Sequence, residues 1–211
     1  ADFDQGGRSV LGIRPLLWKN GWPYAGDRFK EGTYEIESER RGYALELAVD
    51  FVRMKQDRQA WFRVDPDTPV KPIANQTLAE VIDSWPKGSI PARIGDYMFR
   101  PHQRWTVTAV PEAGGYLSNP YFKITIEGTN RALAATSKLE VATVPEYTGA
   151  DEQLWRIEQL TDGTFRIMPK CIPGRKGTNT KYVLYSAGDS TPTLAEYDFQ
   201  SDNSKWNFRN H

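Results

Sequence analysis

Apart from its carboxylates, this chain holds few groups able to do acid–base, nucleophilic or metal chemistry. There are two histidines, His102 and His211, one cysteine, Cys171, and 27 acidic residues. A zinc site of the Cys/His kind needs more ligands of those types, so metal chemistry would rest on carboxylates alone. His102 stands beside Gln103 with no Ser or Cys nucleophile motif next to it, and it reads as a hydrogen-bonded structural residue rather than a general base. Glycosidic cleavage would need two carboxyl groups about 5–10 Å apart, and no motif singles out such a pair. No catalytic residue, metal ligand or cofactor is expected within the chain.

The aromatic residues are the richer resource, with 7 Trp, 10 Tyr and 9 Phe. A ring on a loop can stack on the apolar C–H face of a sugar, or it can pin the loop to the body. Trp61 and Trp85, in a Pro-rich stretch over residues 55–95, admit either role. Lys plus Arg and Asp plus Glu both number 27, so the formal charge is zero and no global field draws phosphate backbones or anionic lipid. Nucleic acid and membrane surfaces are therefore poor partners. No apolar run approaches the roughly 18 residues of a membrane-spanning helix, and the opening ADFDQGG has neither the basic nor the apolar region of a leader peptide. A lone cysteine forms no intrachain bridge, while ESERR (37–41) and GRKG (174–177) read as solvated turns.

The elements that position these side chains are short and mostly β-like. Residues 10–18, VLGIRPLLW, read as one buried strand with no partner nearby, and the texture changes to brief alternating runs from Gly32 onward. Within 55–95, read as an insertion, Thr77 and Glu80 form a capping-box pattern ahead of Leu78, Val81 and Ile82, and Pro86 ends the helix. The larger order is a repeat. Trp105, Trp155 and Trp206 stand 50 and 51 residues apart, in HQRWTV, EQLWRI and NSKWNF. Setting Tyr34, Phe122 and Phe165 in register aligns Ile36, Ile124 and Ile167, and then Leu45, Leu133 and Leu184. Period-two alternation puts each Ile, Leu and Trp on one inward face. A unit of about four short strands cannot bury that face alone, but three closing around one axis can. The expected fold is all-β: a β-trefoil of three pseudo-repeats over 32–211, with the 55–95 insertion in the first repeat and an extended N-terminal segment.

Gln103-Arg104-Trp105 and Gln153-Leu154-Trp155 resemble the Gln-x-Trp signature of ricin-B-type trefoils, the fold of carbohydrate-binding module family 13; Ser204-Lys205-Trp206 has lost the Gln. The stretch DEQLWRIEQLTDGTFRI (151–167) is the most family-like, running through an Asp162-Gly163 turn into the next repeat. The resemblance implies a sugar site in each lobe, built from an acidic residue just after the Leu of the second strand, an aromatic platform, and polar residues before x-Trp. The first lobe carries Glu46 at the acidic position, His102 and Gln103 at the polar pair, and Trp85 or Tyr97 as a platform. The second has Ala134 at the acidic position, with Glu152, Gln153 and Tyr147. The third has Tyr185 there, with Asn203, Ser204 and Tyr197. Sugar binding is thus expected in the first lobe, with the repeat tryptophans as core.

The N-terminal RSVLGIRPLLWKNGWPYAG is similar to the segment that closes the five-bladed propeller of glycoside hydrolase family 43, particularly its endo-α-1,5-arabinanases. This implies that residues 1–25 are the closing strand and linker of a catalytic propeller whose carboxylates lie outside the chain. The implied partners are that propeller and an arabinan-type plant polysaccharide, in an extracellular or bacterial periplasmic setting. The implied role is non-catalytic: binding or positioning polysaccharide, or bracing the propeller without touching sugar.

Overall fold

The computed structural model describes residues 16–19, 21–25, 29–40, 42–49, 77–116, 119–160, 162–177, 181–188 and 191–210. Leu11, Ile13, Trp61 and most of the insertion lie outside the described residues.

Six strands close on one another. They are β3 (Gly32–Ser38), β6 (Trp105–Tyr116), β7 (Asn119–Ile126), β10 (Trp155–Gln159), β11 (Phe165–Pro169) and β14 (Trp206–Arg209). Each pairs antiparallel with the next, and β14 pairs back onto β3. Closure leaves this barrel no open edge. Three hairpins accompany it, one per repeat: β4 (Ala44–Leu47) with β5 (Ile90–Gly95), β8 (Ala132–Ala135) with β9 (Val141–Val144), and β12 (Tyr182–Tyr185) with β13 (Thr193–Glu196). Pairing of Ile90 with Thr143 and of Glu140 with Thr193 ties neighbouring hairpins together. This is the β-trefoil expected from the repeat.

The side chains behind the repeat are all interior. Trp105, Trp155, Trp206, Ile36, Ile124, Ile167, Leu45, Leu133 and Leu184 are fully buried. Each indole N–H donates to the carbonyl of its own lobe's leucine, Trp105 to Leu45 at 2.7 Å, Trp155 to Leu133 at 2.9 Å and Trp206 to Leu184 at 2.8 Å. Burying an indole would otherwise strand its donor, so the Trp–Leu pair repeats as a unit. Tyr34, Phe122 and Phe165 meet at Phe29, whose ring centre lies 5.4, 5.4 and 5.6 Å from theirs. One side chain from before the first repeat thus touches the matching aromatic of all three lobes.

Two features differ from the sequence reading. Residues 90–95 are β5, paired with β4, and so belong to the trefoil rather than to the insertion. Ile90, Ala92 and Ile94 are buried in alternation, and Pro91 occupies an exposed position opposite Ala142. The second difference is that the N-terminal strand has a partner. Leu16–Lys19 (β1) pairs antiparallel with Trp22–Ala25 (β2), Lys19 opposite Trp22, across a turn in which Gly21 has φ 79°. Asn-Gly between two apolar runs is a strong hairpin signal, because the common two-residue hairpin turns favour residues that tolerate positive φ. Ahead of β5, the capping box forms as read: Thr77 caps α1 (Leu78–Asp83), its hydroxyl accepting from the Glu80 N–H while Glu80 accepts from the Thr77 N–H.

Candidate functional site: the first lobe

Glu46 projects from β4 directly opposite Arg93 on β5. The β4–β5 pairing brings the two together although the insertion separates them in sequence. Arg93 Nε contacts Glu46 Oε1 at 2.5 Å; Gln103 Nε2 donates to Glu46 Oε2 at 2.6 Å, and His102 Nε2 lies 3.4 Å from that same oxygen. The carboxylate is 4% exposed. Burial alone would push its proton affinity up, but the His102 hydrogen bond and the Arg93 guanidinium outweigh it, holding the carboxyl below the ordinary glutamate range. A Cβ on Gly95 would come within 3.0 Å of Glu46 Oε1, so the strand passes closely over the acid.

Gln103 carries this cluster outward. A short 3-10 turn, Pro101–Gln103, precedes Trp105. The Gln103 amide donates to the Asp96 carbonyl at 2.7 Å, while its Oε1 accepts from the Met98 N–H at 2.8 Å and the Arg100 N–H at 3.4 Å. Gln153 does the same one repeat later, donating to the Glu146 carbonyl at 3.0 Å and accepting from the Thr148 N–H at 2.8 Å. In the third lobe the shorter Ser204 reaches the Asp198 and Ser201 carbonyls instead. The glutamine of Gln-x-Trp is thus a clamp on the loop ahead of the Trp strand.

Sequence and structure meet unevenly at the expected site. Glu46, His102 and Gln103 do come together, but all three are buried, with both His102 and Gln103 turned to the Glu46 carboxylate. The third lobe repeats the seal with different chemistry, Asn203 donating to the Tyr185 hydroxyl at 2.8 Å. Trp85 does not serve as a platform: at 6% exposed it packs into the main core. Arg131 fastens the chain beside it, donating to the Pro86 and Gly88 carbonyls at 2.8 and 2.7 Å. Of its two possible roles, Trp85 takes that of an anchor.

Tyr97 is half-buried, and the same holds for Tyr147 and Tyr197. These three are equivalent. Lys123 and Arg166, each just after a barrel aromatic, lie 5.0 and 4.9 Å from the rings of Tyr147 and Tyr197. The corresponding first-lobe residue is Glu35, whose charge acts on the Tyr97 hydroxyl. Their positions, 97, 147 and 197, repeat every 50 residues, close to the tryptophan intervals of 50 and 51. That regularity was available as a signal and would have identified the loop they share. Two residues past Tyr97 comes Phe99, 71% exposed, its ring centre 4.7 Å from that of Tyr97 and its backbone at φ 54°. Sequence reasoning did not pick out Phe99.

Among the described residues no group of acidic, His or Cys side chains could hold a metal ion, and no helix is long and apolar enough to cross a membrane.

A closed barrel of six strands with three hairpins, bearing one Trp–Leu bond per lobe, defines the chain as a β-trefoil. The family model described as ricin-type beta-trefoil lectin domain-like matches residues 101–175, from the first 3-10 turn into the third lobe. Among solved structures, a mosquitocidal holotoxin is 13% identical, with a TM-score of 0.58, over 88% of this chain and 18% of its own. The chain therefore spans about a fifth of that toxin's length. ThreeFoil, a designed 3-fold symmetric protein, is 16% identical with a TM-score of 0.51, over 85% of this chain and 99% of its own. At such identities the likeness is one of fold. No curated protein matches the chain in sequence.

Proposed function

We propose that this chain is a non-catalytic carbohydrate-binding trefoil that holds plant cell-wall polysaccharide of the arabinan type for a glycoside hydrolase of family 43. The carbohydrate-binding part of this reading is supported by the ricin-type lectin-like match over residues 101–175, which includes the His102–Gln103 pair and the Gln153 clamp; the arabinan and family 43 parts rest on the resemblance of residues 1–25. Sugar binding is assigned to the first lobe, where the loop over 96–103 carries Tyr97. Gln103 supports that loop through its bonds to the Asp96, Met98 and Arg100 backbone, and the buried Glu46 carboxylate fixes Gln103, with His102 at the same oxygen. A resident cofactor or metal has no part in this role.

Residues 1–25 are assigned to the junction with a catalytic propeller, on their similarity to the closing strand of family 43 propellers. The reaction, its carboxylates and its substrate belong to that propeller. An extracellular or periplasmic location follows from a polymer substrate that does not enter cells.

The test is affinity electrophoresis of the purified chain against linear arabinan, debranched arabinan, xylan and galactan, with reducing-sugar release measured in parallel. Retardation by arabinan without sugar release is expected. Turnover that disappears when one acidic residue is changed to its amide would overturn the non-catalytic assignment.

A second reading has a specific observation in its favour. Glu46, at the acidic position of ricin-type sites, is 4% exposed and both its oxygens are taken. A trefoil sealed in this way could serve as an interdomain brace. Absence of retardation on all four polysaccharides would favour the brace.

A further inference from the structure

Phe99 sits in a conformation that a phenylalanine rarely adopts. At φ 54° its Cβ crowds the backbone, and the matching place in the second lobe is held by Gly149 at φ 83°, where no Cβ exists. Such strain persists only where the surroundings impose it, and strained residues cluster at ligand-binding and switch regions. Here the imposing group is Gln103, whose single Oε1 accepts the N–H on either side of Phe99, from Met98 and from Arg100. Glu46 holds Gln103 in turn. The buried cluster thus braces a loop whose tip presents Phe99 at 71% and Met98 at 55% exposed. Two residues past the equivalent Tyr197, the third lobe presents Phe199, 42% exposed.

We infer that Phe99 and Phe199 are two sugar-stacking platforms, one each on the first and third lobes, through which a single chain grips a polysaccharide at two points. The second lobe is blank because Gly149 stands where the ring would be. This rests on the carbohydrate-binding reading above, and it moves the platform from Tyr97 to the loop tip and adds the third lobe to the first. The ligand chemistry is the apolar C–H face of a furanose or pyranose in a polymer long enough to reach both loops. A fixed ring loses little freedom on stacking, so the strain at Phe99 is borne by the fold and the binding step is spared the cost of ordering the ring. Two linked weak sites then give a polymer avidity that neither has alone.

The test uses the 211-residue chain as wild type, Phe99→Gly, Phe199→Gly, the double variant and Phe99→Trp. Each is titrated calorimetrically with arabino-oligosaccharide and run through arabinan gels. Two sites are expected for wild type, one for each single glycine variant and none for the double. Polymer affinity should fall about tenfold or more for each single change, and Phe99→Trp should keep it. Phe99→Gly should hold or raise Tm, since it relieves the backbone while removing the ring; a ring with a merely structural role would lower Tm instead. Wild-type retention that survives the double variant overturns this inference and leaves the carbohydrate reading standing. Lack of retention of the wild type on every polysaccharide overturns both.

Discussion

Gln103 Nε2 donates to Glu46 Oε2 at 2.6 Å, joining residues 57 apart in the chain. That bond links the second strand of the first lobe to the turn before its tryptophan strand, and Arg93 holds the other carboxylate oxygen. Removing the acid would leave the buried Gln103 amide and the partly buried Arg93 guanidinium without the carboxylate that both contact. Loss of one partner from a buried pair costs about 3–5 kcal/mol. Glu46→Ala is therefore expected to lower the unfolding free energy measured in urea by that order, and Glu46→Gln by less, since an amide still accepts from Gln103. A shift below about 1 kcal/mol for Glu46→Ala would mean that the cluster bears little of the fold.

The same cluster sets an acid limit on stability. The folded-state affinity of Glu46 for a proton is lowered, so its contribution is fully present above the ordinary value of 4.5 and is lost as pH falls through the depressed folded value. Glu158, beside Arg156 and Arg166, is shifted in the same direction and adds to the loss. Thermal melts from about pH 6 down to about pH 3 should show Tm falling with acid, with a shallower fall in Glu46→Gln. Identical slopes for variant and wild type would remove Glu46 from the acid response.

Each of Trp105, Trp155 and Trp206 gives its N–H to a buried leucine carbonyl. Replacement by Phe keeps a ring and strands that carbonyl, at a cost of about 1–3 kcal/mol each. Because the three settings match, the three penalties are expected to agree within about 1 kcal/mol. Equilibrium unfolding of the single variants measures this, and one penalty far from the other two would show that the lobes differ in mechanics.

Phe29 contacts the barrel aromatics of all three lobes, and Phe208 besides, at 4.5 Å. Phe29→Ala is expected to cost about 3–5 kcal/mol, as for a large ring removed from a core. A surface-like loss of about 0.5 kcal/mol would show that the barrel closes without it.

The repeat and the fold were legible because a trefoil lobe buries its inner face only against the other two. The same Ile, Leu and Trp must therefore recur wherever the lobe recurs, and alternation marks which side they face. Asn20-Gly21 and the 50-residue spacing of Tyr97, Tyr147 and Tyr197 carry information of the same local kind. The prolines of the insertion masked β5, although Ile90, Ala92 and Ile94 alternate there; Pro91 is tolerated because it faces outward. Other features had no local signal. Whether Glu46 meets solvent or a guanidinium depends on Arg93 arriving from beyond the insertion, and the burial of Trp85 depends on Arg131 of the next lobe fastening the chain beside it. The place of Phe29 is decided only when three lobes close around it. Residue types and periods along one strand determine which face turns inward, whereas the partner of a buried charge or a central ring is set by strands that meet through closure of the barrel.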